Sequence, residues 1–283
     1  MTSLKIVTDS SCDLPERFFD DYAIGVVPIN IRFGDKDFLE GVNIDEKTFY
    51  EKIKATGALP KTSQPSVGQF VERYLDWARQ GVDTILSIHV ASTLSGTVNS
   101  AMVAAQEVAE KIRVIPFDTL SGSAAMGFMC VEAAQLARLG KSAEEIVARL
   151  TEARQSVRIS LTLETLKYAA MSGRISNIQA FVASVLNIKP IVTLHEGQLL
   201  ADGRVRSRAA ALERLIDLTR DAAGQASVNI AVIHSGVQSE ADELLARLKQ
   251  SLNVVDSFVG DITLSLAAHF GPGVIGTVVY PHK

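Results

Sequence analysis

Three turns in the first half of the chain concentrate hydroxyl groups and glycine between a short apolar strand and an amphipathic helix. They lie within Leu4–Pro15 (LKIVTDSSCDLP), Thr84–Ala101 (TILSIHVASTLSGTVNSA) and Arg113–Met129 (RVIPFDTLSGSAAMGFM). The start of a helix offers unpaired N–H groups and a partial positive charge, which attract anions. Hydroxyls add hydrogen-bond donors, and glycine lets a ligand approach the backbone. The pattern predicts a site that holds a small anionic head group with neutral donors.

A parallel sheet brings such turns together, because they then all lie at its carboxyl edge, where open α/β folds bind ligands. Alternating apolar strands and helices of suitable length fill the first half of the chain. Pro15 also favours a helix that begins at Glu16. The expected strands cover residues 4–8, 25–32, 84–89 and 113–117, and the expected helices cover residues 46–56, 67–80, 97–110, 123–139 and 143–156.

The alternation changes after about Thr162. The pairs Glu196-Gly197 and Asp202-Gly203 separate short apolar pieces and are typical of hairpin turns. The expected helices here cover residues 163–171, 177–186, 208–222 and 239–252, and the expected strands cover residues 189–195, 198–201, 204–206, 227–234, 254–258 and 274–280. We therefore predict an α/β protein with two domains. Residues 1–162 form one with a mainly parallel sheet, and residues 163–283 form one with a mixed sheet.

Composition excludes several classes of function. The 283 residues carry a net charge of −4, so there is no basic field to attract nucleic acid. The only cysteines, Cys12 and Cys130, form no CxxC motif, which argues against a metal site and fits a reduced, cytoplasmic setting. The N-terminus lacks the pattern of a signal peptide. The most apolar stretch, Ile178–Leu194, is interrupted by polar residues and proline, so we expect no membrane insertion.

Six motifs, in order along almost the whole chain, resemble those of the DegV family of bacterial fatty-acid-binding proteins. They are IVTDSSCDLP (Ile6–Pro15), KTSQPS (Lys61–Ser66), STLSGTVNSA (Ser92–Ala101), SGRIS (Ser172–Ser176), NIKPIVTLHEGQL (Asn187–Leu199) and HFGPGVIG (His269–Gly276). The resemblance implies two α/β domains with a long-chain fatty acid buried between them. It also implies that hydroxyls hold the carboxylate, and that a separate fatty acid kinase subunit phosphorylates it to acyl phosphate for phospholipid metabolism. The protein is then a substrate-presenting lipid-binding subunit rather than an enzyme, without catalytic residues and without a cofactor besides the bound acid.

The hydroxyl-rich segments supply the first candidate ligand contacts. Ser66 is expected to cap a helix that begins at Val67. Thr62 and Ser63 lie just before this helix, and for Thr62 a loop position and the family resemblance favour contact with the head group. Ser95 and the N–H group of Gly96 are the first choice for the carboxylate. From the residues alone, helix capping explains Ser95 equally well, and at least one hydroxyl in this turn is expected to be a cap.

Three further candidates come from the second half. The family resemblance implies that His269 lies beside the head group. A histidine suits this position, because its pKa normally lies near neutrality and it can support a carboxylate or donate to a phosphoryl oxygen. Arg174 is a family-based candidate near the head group, and Arg206 is a candidate contact for the kinase subunit. Solvated surface is the ordinary explanation for both arginines. Asp9 is expected to be structural support, because a carboxylate repels an anionic ligand.

Two other functions stay open at this point. One is a small-substrate enzyme or kinase subunit of the dihydroxyacetone kinase type, in which His269 or His89 does chemistry. The chain contains no GxxxxGK[ST] loop for a nucleotide and no GxSxG nucleophile turn, which argues against this alternative. The other is a lipid carrier without a kinase partner. Acyl chain length, the tail-pocket residues, the oligomeric state and the identity of the partner do not follow from the sequence.

Overall fold

The computed structural model describes residues 3–57, 59–176 and 188–282. The chain divides into two compact units, Met1–Arg154 and Gln155–Lys283. The strand Arg158–Thr162, which the predicted limits of 1–162 and 163–283 assign to the first domain, pairs within the sheet of the second unit. The predicted domain limits, 1–162 and 163–283, stay a prediction.

The first unit contains a parallel sheet, a small antiparallel sheet and the helices around them. Its strands are β1 (Leu4–Asp9), β2 (Gly25–Val27), β3 (Asn30–Phe33), β4 (Lys36–Leu39), β5 (Lys61–Ser63), β6 (Thr84–His89) and β7 (Arg113–Asp118). Its helices are α1 (Glu16–Tyr22), α2 (Glu46–Thr56), α3 (Val67–Arg79), α4 (Thr97–Glu107), α5 (Ser123–Arg138) and α6 (Ala143–Ser156), the last of which runs two residues past the boundary. The sequence predicts most of these elements to within a few residues.

The parallel sheet has the strand order β2-β1-β6-β7. Every residue of β6 is buried, as expected for a central strand covered on both faces. Helix α3 presents Phe70, Tyr74 and Trp77, spaced by four and three residues, to the core cluster that includes Val7 and Ile85. The helical spacing of α3 and the continuous burial of β6 therefore agree with a sheet that helices cover on both faces.

The antiparallel sheet, in the order β4-β3-β5, was not predicted. The single strand expected over residues 25–32 is wrong, because the chain leaves the parallel sheet after Val27 and pairs again from Asn30 in another sheet. Pro28 lies between the two pieces and has no N–H group with which to continue a ladder. Strand β5 then pairs with β3 through Ile31 and Thr62.

The second unit is built on one mixed sheet. Its strands are β8 (Arg158–Thr162), β9 (Ile175–Ser176), β10 (Lys189–His195), β11 (Gln198–Val205), β12 (Val228–His234), β13 (Val254–Asp261) and β14 (Ile275–Pro281). Its helices are α7 (Lys167–Ser172), α8 (Arg208–Ala223), α9 (Gln238–Ser251) and α10 (Leu264–Phe270). The strand order is β13-β12-β14-β8-β10-β11-β9, with parallel pairs only at the two ends. The prediction of a mixed sheet is confirmed.

The two predicted hairpin turns have different outcomes. Glu196 and Gly197 both have positive φ and join β10 to β11, as a two-residue hairpin turn requires. The turn expected at Asp202-Gly203 is wrong: β11 is continuous there, and the register shifts because Ala201 pairs with Val192 while Gly203 pairs with Ile191. The extra residue makes a β-bulge rather than a reversal.

Three other elements differ from expectation. The helix predicted over residues 163–171 is limited to α7, and the helix predicted over residues 177–186 lies outside the described residues. Strand β8, which was not predicted, occupies the middle of the sheet between β14 and β10. Helix α10, also not predicted, carries His269 in its last turn.

Candidate functional site

The three hydroxyl-rich turns lie side by side at one edge of the first unit's parallel sheet. β6 is paired in parallel with β1 on one side and with β7 on the other, and His89 at the end of β6 is level with Asp118 at the end of β7. Asp118 accepts hydrogen bonds from the N–H groups of Leu120, at 2.9 Å, and Ser92, at 3.3 Å, so its carboxylate joins the second and third turns. The predicted convergence of these turns is confirmed.

The turn between β6 and α4, Val90–Gly96, contains the candidates Ser95 and Gly96. Gly96, which has no side chain to serve as a cap, is the N-cap residue of α4. The expectation that a hydroxyl of this turn caps the helix stays a prediction. The Ser95 hydroxyl is 2.8 Å from that of Thr97. Ser95 lies directly before the N-cap residue, and Thr97 is the first residue of the helix. The helix start thus presents N–H groups and hydroxyls together, as an anion site requires.

Thr62 and Ser63 lie in a strand rather than in the expected loop. They form part of β5, with Thr62 half-buried and Ser63 exposed. The next residue, Gln64, reaches the β6–α4 turn: its side-chain Nε2 lies 2.7 Å from where a Cβ on Gly96 would be. Asn30 on β3 holds the Gln64 carbonyl through a 2.9 Å hydrogen bond from Nδ2. The structure therefore brings the Thr62–Ser63 segment next to the Ser95–Gly96 segment.

Ser66 is occupied by a structural role. Its hydroxyl accepts a hydrogen bond from the Gln69 N–H at 3.2 Å, and the Gln69 side chain accepts one from the Ser66 N–H at 2.9 Å. This reciprocal arrangement is a capping box. The prediction that Ser66 caps the helix beginning at Val67 is confirmed.

Asp9 has the expected structural role, and the structure shows how it performs it. The side chain is fully buried, with one carboxylate oxygen 3.0 Å from Nδ1 of His89 and 3.2 Å from the Val90 nitrogen. Burial by itself raises the pKa of Asp9, but interactions with His89, Ser11 and the Val90 amide hold it below its usual range. His89 is also fully buried, which leaves it no direct access to a substrate.

In the second unit, His269 and Arg174 are close enough for the charge of one to affect the other. Burial and the charge of Arg174 lower the pKa of His269 to about 4. The expectation of a pKa near neutrality is therefore wrong. At neutral pH the imidazole is uncharged, with one N–H donor and one acceptor nitrogen. His269 can therefore take part in a hydrogen bond with a head group, but it does not contribute positive charge.

The arginine candidates are both exposed. Arg174 follows Gly173, which ends α7 in the left-handed conformation, and its guanidinium donates to the Ser172 carbonyl at 2.6 Å. Arg206 lies one residue beyond the end of β11, directly before Ser207, whose hydroxyl caps α8. Arg206 is thus held by rigid elements on both sides and projects from the surface.

The loop after His269 depends on glycine. Gly271 has φ 80° and ψ 177°, a conformation that is essentially restricted to glycine. A Cβ at this position would clash with the ring of Tyr168 on α7. The ring of Tyr168 therefore packs directly against the backbone that follows His269.

Three residues that contact the candidate segments were not predicted from the sequence: Asn30, Gln64 and Tyr168. Gln64 lies inside the KTSQPS motif, but nothing in its type distinguishes it from a solvated glutamine. Across residues 3–57, 59–176 and 188–282 there is no cluster of three His, Cys, Asp or Glu residues arranged to bind a metal ion. In the same ranges, no helix has both the length and the apolar character needed to span a membrane.

Comparison with known proteins assigns these features to a family. Residues 3–282, which span both α/β units, match the family model described as "Uncharacterised protein, DegV family". The chain therefore belongs to the DegV family, and the resemblance inferred from the six motifs is confirmed. A fatty acid-binding protein of Thermotoga maritima is 31% identical to this chain over 278 residues, a match that covers 96% of each protein.

Solved structures of family members share this fold. A DegV family protein from Thermus thermophilus, with a structure reported for its fatty acid binding, has a TM-score of 0.91 and 32% identity, over 99% of this chain and 100% of that one. DegV from Bacillus subtilis, described as a fatty acid binding protein, has a TM-score of 0.90 and 30% identity over the full length of both chains. The two-unit α/β architecture is that of structurally characterised fatty-acid-binding relatives.

Proposed function

We propose that this protein binds a long-chain fatty acid and presents its carboxylate to a separate kinase subunit. The observation that carries the proposal is the contact between Gln64 and Gly96, which brings two hydroxyl-bearing segments together at the start of α4. Family membership and the fatty acid binding of two relatives support the same ligand class.

In this proposal the carboxylate is bound by Thr62, Ser63 and Ser95 together with the N–H of Gly96. These four donors are neutral, so their contribution to binding depends on hydrogen bonds to the anion and on the partial charge of the α4 N-terminus. Each buried methylene of the acyl chain contributes about 0.8 kcal/mol, so the tail supplies most of the affinity. The head-group contacts mainly determine where the carboxylate is held.

His269 and Arg174, both in the second unit, are the two further residues that the family resemblance assigns to the head group. A neutral imidazole at position 269 donates one hydrogen bond, and the Arg174 guanidinium adds positive charge. Arg206 is proposed to contact the kinase subunit, because an exposed planar guanidinium suits an acidic partner surface. In this proposal the partner forms an acyl phosphate, an activated acyl donor for bacterial phospholipid metabolism, and the protein acts in the cytoplasm.

Mass spectrometry of an organic extract of the purified protein tests the ligand and the site together. We expect a fatty acid near one equivalent in the wild type and much less in a Thr62→Ala, Ser95→Ala double variant. Ser66→Ala is the matched control, because it removes a hydroxyl of the same segment that is occupied by the capping box. Equal amounts of fatty acid in all three proteins would refute the proposed carboxylate site but would still support a fatty acid as the ligand. A wild type that neither carries nor binds oleate would refute the proposal.

The kinase step requires a separate assay. With oleate-loaded protein, ATP and a bacterial fatty acid kinase subunit, we expect acyl phosphate, trapped as the hydroxamate, and a large loss of rate in Arg206→Ala. Arg204→Ala is the control, because Arg204 is also exposed and lies two residues away on β11. Tight oleate binding without turnover by any such kinase would indicate a carrier that has no kinase partner.

A further inference from the structure

A chain of four buried polar side chains runs through the core of the first unit to the β6–α4 turn. The Tyr74 hydroxyl is 2.8 Å from Ser87 Oγ, and Ser87 Oγ is 2.6 Å from Nε2 of His89. Nδ1 of His89 is 3.0 Å from Oδ2 of Asp9. All four side chains have 0% exposure, so water has no access to any of these hydrogen-bonding groups.

Of the four hydrogen-bonded side chains, Asp9 is the one nearest the proposed ligand site. One carboxylate oxygen interacts with His89 and accepts the Val90 N–H, and the other accepts the N–H and the hydroxyl of Ser11. A buried carboxylate is tolerated only with such complete pairing. The four interactions join the turn after β1 to the first residue of the β6–α4 turn.

The same stretch of backbone is held from the opposite side by the turn after β7. The His89 carbonyl accepts hydrogen bonds from the N–H of Thr119, at 3.2 Å, and from its hydroxyl, at 2.8 Å. The Ala91 N–H donates to the Ser121 carbonyl at 2.7 Å. Residues 89–91 are therefore held between both neighbouring turns, and Asp9 supplies the contact on the β1 side.

The conformation of residues 89–91 is passed on to Ser95. The Ala91 carbonyl accepts hydrogen bonds from Leu94, at 2.9 Å, and from Ser95, at 3.1 Å. A displacement of Val90 and Ala91 therefore moves the backbone on which the Ser95 hydroxyl and the Gly96 N–H depend. At the other end of this hydrogen-bonded series, Tyr74 belongs to α3, the helix that directly follows the KTSQPS motif.

We propose that Asp9 and His89 are positioning residues for the head-group site and set the geometry of the β6–α4 turn without touching the ligand. This inference rests on the proposed function. Packing alone does not require such a network at this point, because apolar side chains fill a core without the cost of burying a carboxylate. In this network the Asp9 carboxylate accepts a hydrogen bond from the Val90 N–H, which belongs to the turn that we propose binds the ligand.

The test compares two lipids that share an acyl chain, oleic acid and oleyl alcohol, in displacement assays. Asp9→Asn places an amide where two backbone N–H groups and a hydroxyl need an acceptor. We expect the Kd for oleic acid to rise by about tenfold or more, as for the loss of a well-placed hydrogen bond to a charged group. The Kd for oleyl alcohol should change less than about twofold, because the tail contacts remain.

Two substitutions at His89 keep the inference testable if Asp9→Asn fails to fold. In His89→Gln an amide can still donate to Asp9 and accept from Ser87, so the oleic acid affinity is retained. In His89→Leu both hydrogen bonds are lost, and the affinity falls as in Asp9→Asn. The position of the Gly96 amide resonance in ¹H–¹⁵N spectra should move in His89→Leu and stay near the wild-type value in His89→Gln.

The possible outcomes separate this inference from the proposed function. If the wild type binds oleic acid and Ser95→Ala weakens binding, unchanged affinity in Asp9→Asn and His89→Leu overturns the positioning role alone. Equal loss of both lipids in these variants also overturns it, because that result reports general damage to the fold. If the wild type binds no oleic acid, the proposed function fails first.

Discussion

The neutral state of His269 leads to a prediction about acid stability. Burial and the charge of Arg174 lower the pKa of His269 from 6.5 to about 4, so the folded state disfavours the protonated ring. Between these two values the unfolded chain binds a proton that the folded chain does not. The free energy of unfolding therefore decreases as the pH falls from about 6.5 towards 4.

The size of the effect follows from the difference between the two pKa values. A shift of one pKa unit corresponds to about 1.4 kcal/mol, so His269 destabilises the folded state by up to about 3 kcal/mol at pH 4 relative to neutral pH. His269→Gln removes this group and leaves the other titrating groups in place. On going from pH 7.5 to pH 4.5, the wild type should therefore lose about 2 to 3 kcal/mol more unfolding free energy than the variant does.

Two measurements check this reasoning. The imidazole Cε1–H resonance of His269, assigned with the Gln variant, gives the folded-state pKa directly, and urea unfolding at the two pH values gives the free energies. Arg174→Gln should raise the pKa only in part, because burial is the larger cause and the charge of Arg174 the smaller. A His269 resonance that titrates near 6.5 in the folded wild type would refute the argument, as would a difference in unfolding free energy that is independent of pH.

Three further predictions concern glycine and cysteine residues. Gly271→Ala should destabilise the second unit by about 1–3 kcal/mol in urea unfolding, because its backbone conformation is restricted to glycine; wild-type stability would contradict this. Gly96→Ala should leave unfolding nearly unchanged, because φ is −73° and the nearest atoms belong to the end of the long, exposed Gln64 side chain, which can adopt another rotamer; the substitution should nevertheless weaken oleate binding in a displacement assay. Burial and a hydrogen bond with Cys130 raise the pKa of Cys12, and both thiols are buried, so DTNB should label neither until the protein is unfolded.

Local patterns in the sequence predict a large part of the fold. The helices Glu46–Thr56 and Ala143–Ser156 and the strand Thr84–His89 agree residue for residue with the structure. The Ser66 cap is also predicted correctly, because a capping box depends on residues only three positions apart. Strands β4 and β5 were missed, and β3 was not separated from β2. The three residues of β5, Lys61–Ser63, have no polar–apolar alternation, and their pairing with β3 makes them a strand. The other edge of β3 pairs with β4.

Within the candidate site, the sequence by itself determined the types of groups and the turns in which they lie. Hydroxyls and glycine at strand-to-helix turns indicate a neutral-donor anion site, because helix starts and side-chain donors are local properties. The arrangement of these groups was decided by tertiary structure. Gln64 meets Gly96 because β3 pairs with β5, and Asp9 meets His89, 80 residues away, because β1 and β6 are neighbouring strands. The protonation of His269 depends in the same way on burial and on Arg174. Distances and solvent exclusion are properties of the folded chain, and no local spacing of residues encodes them.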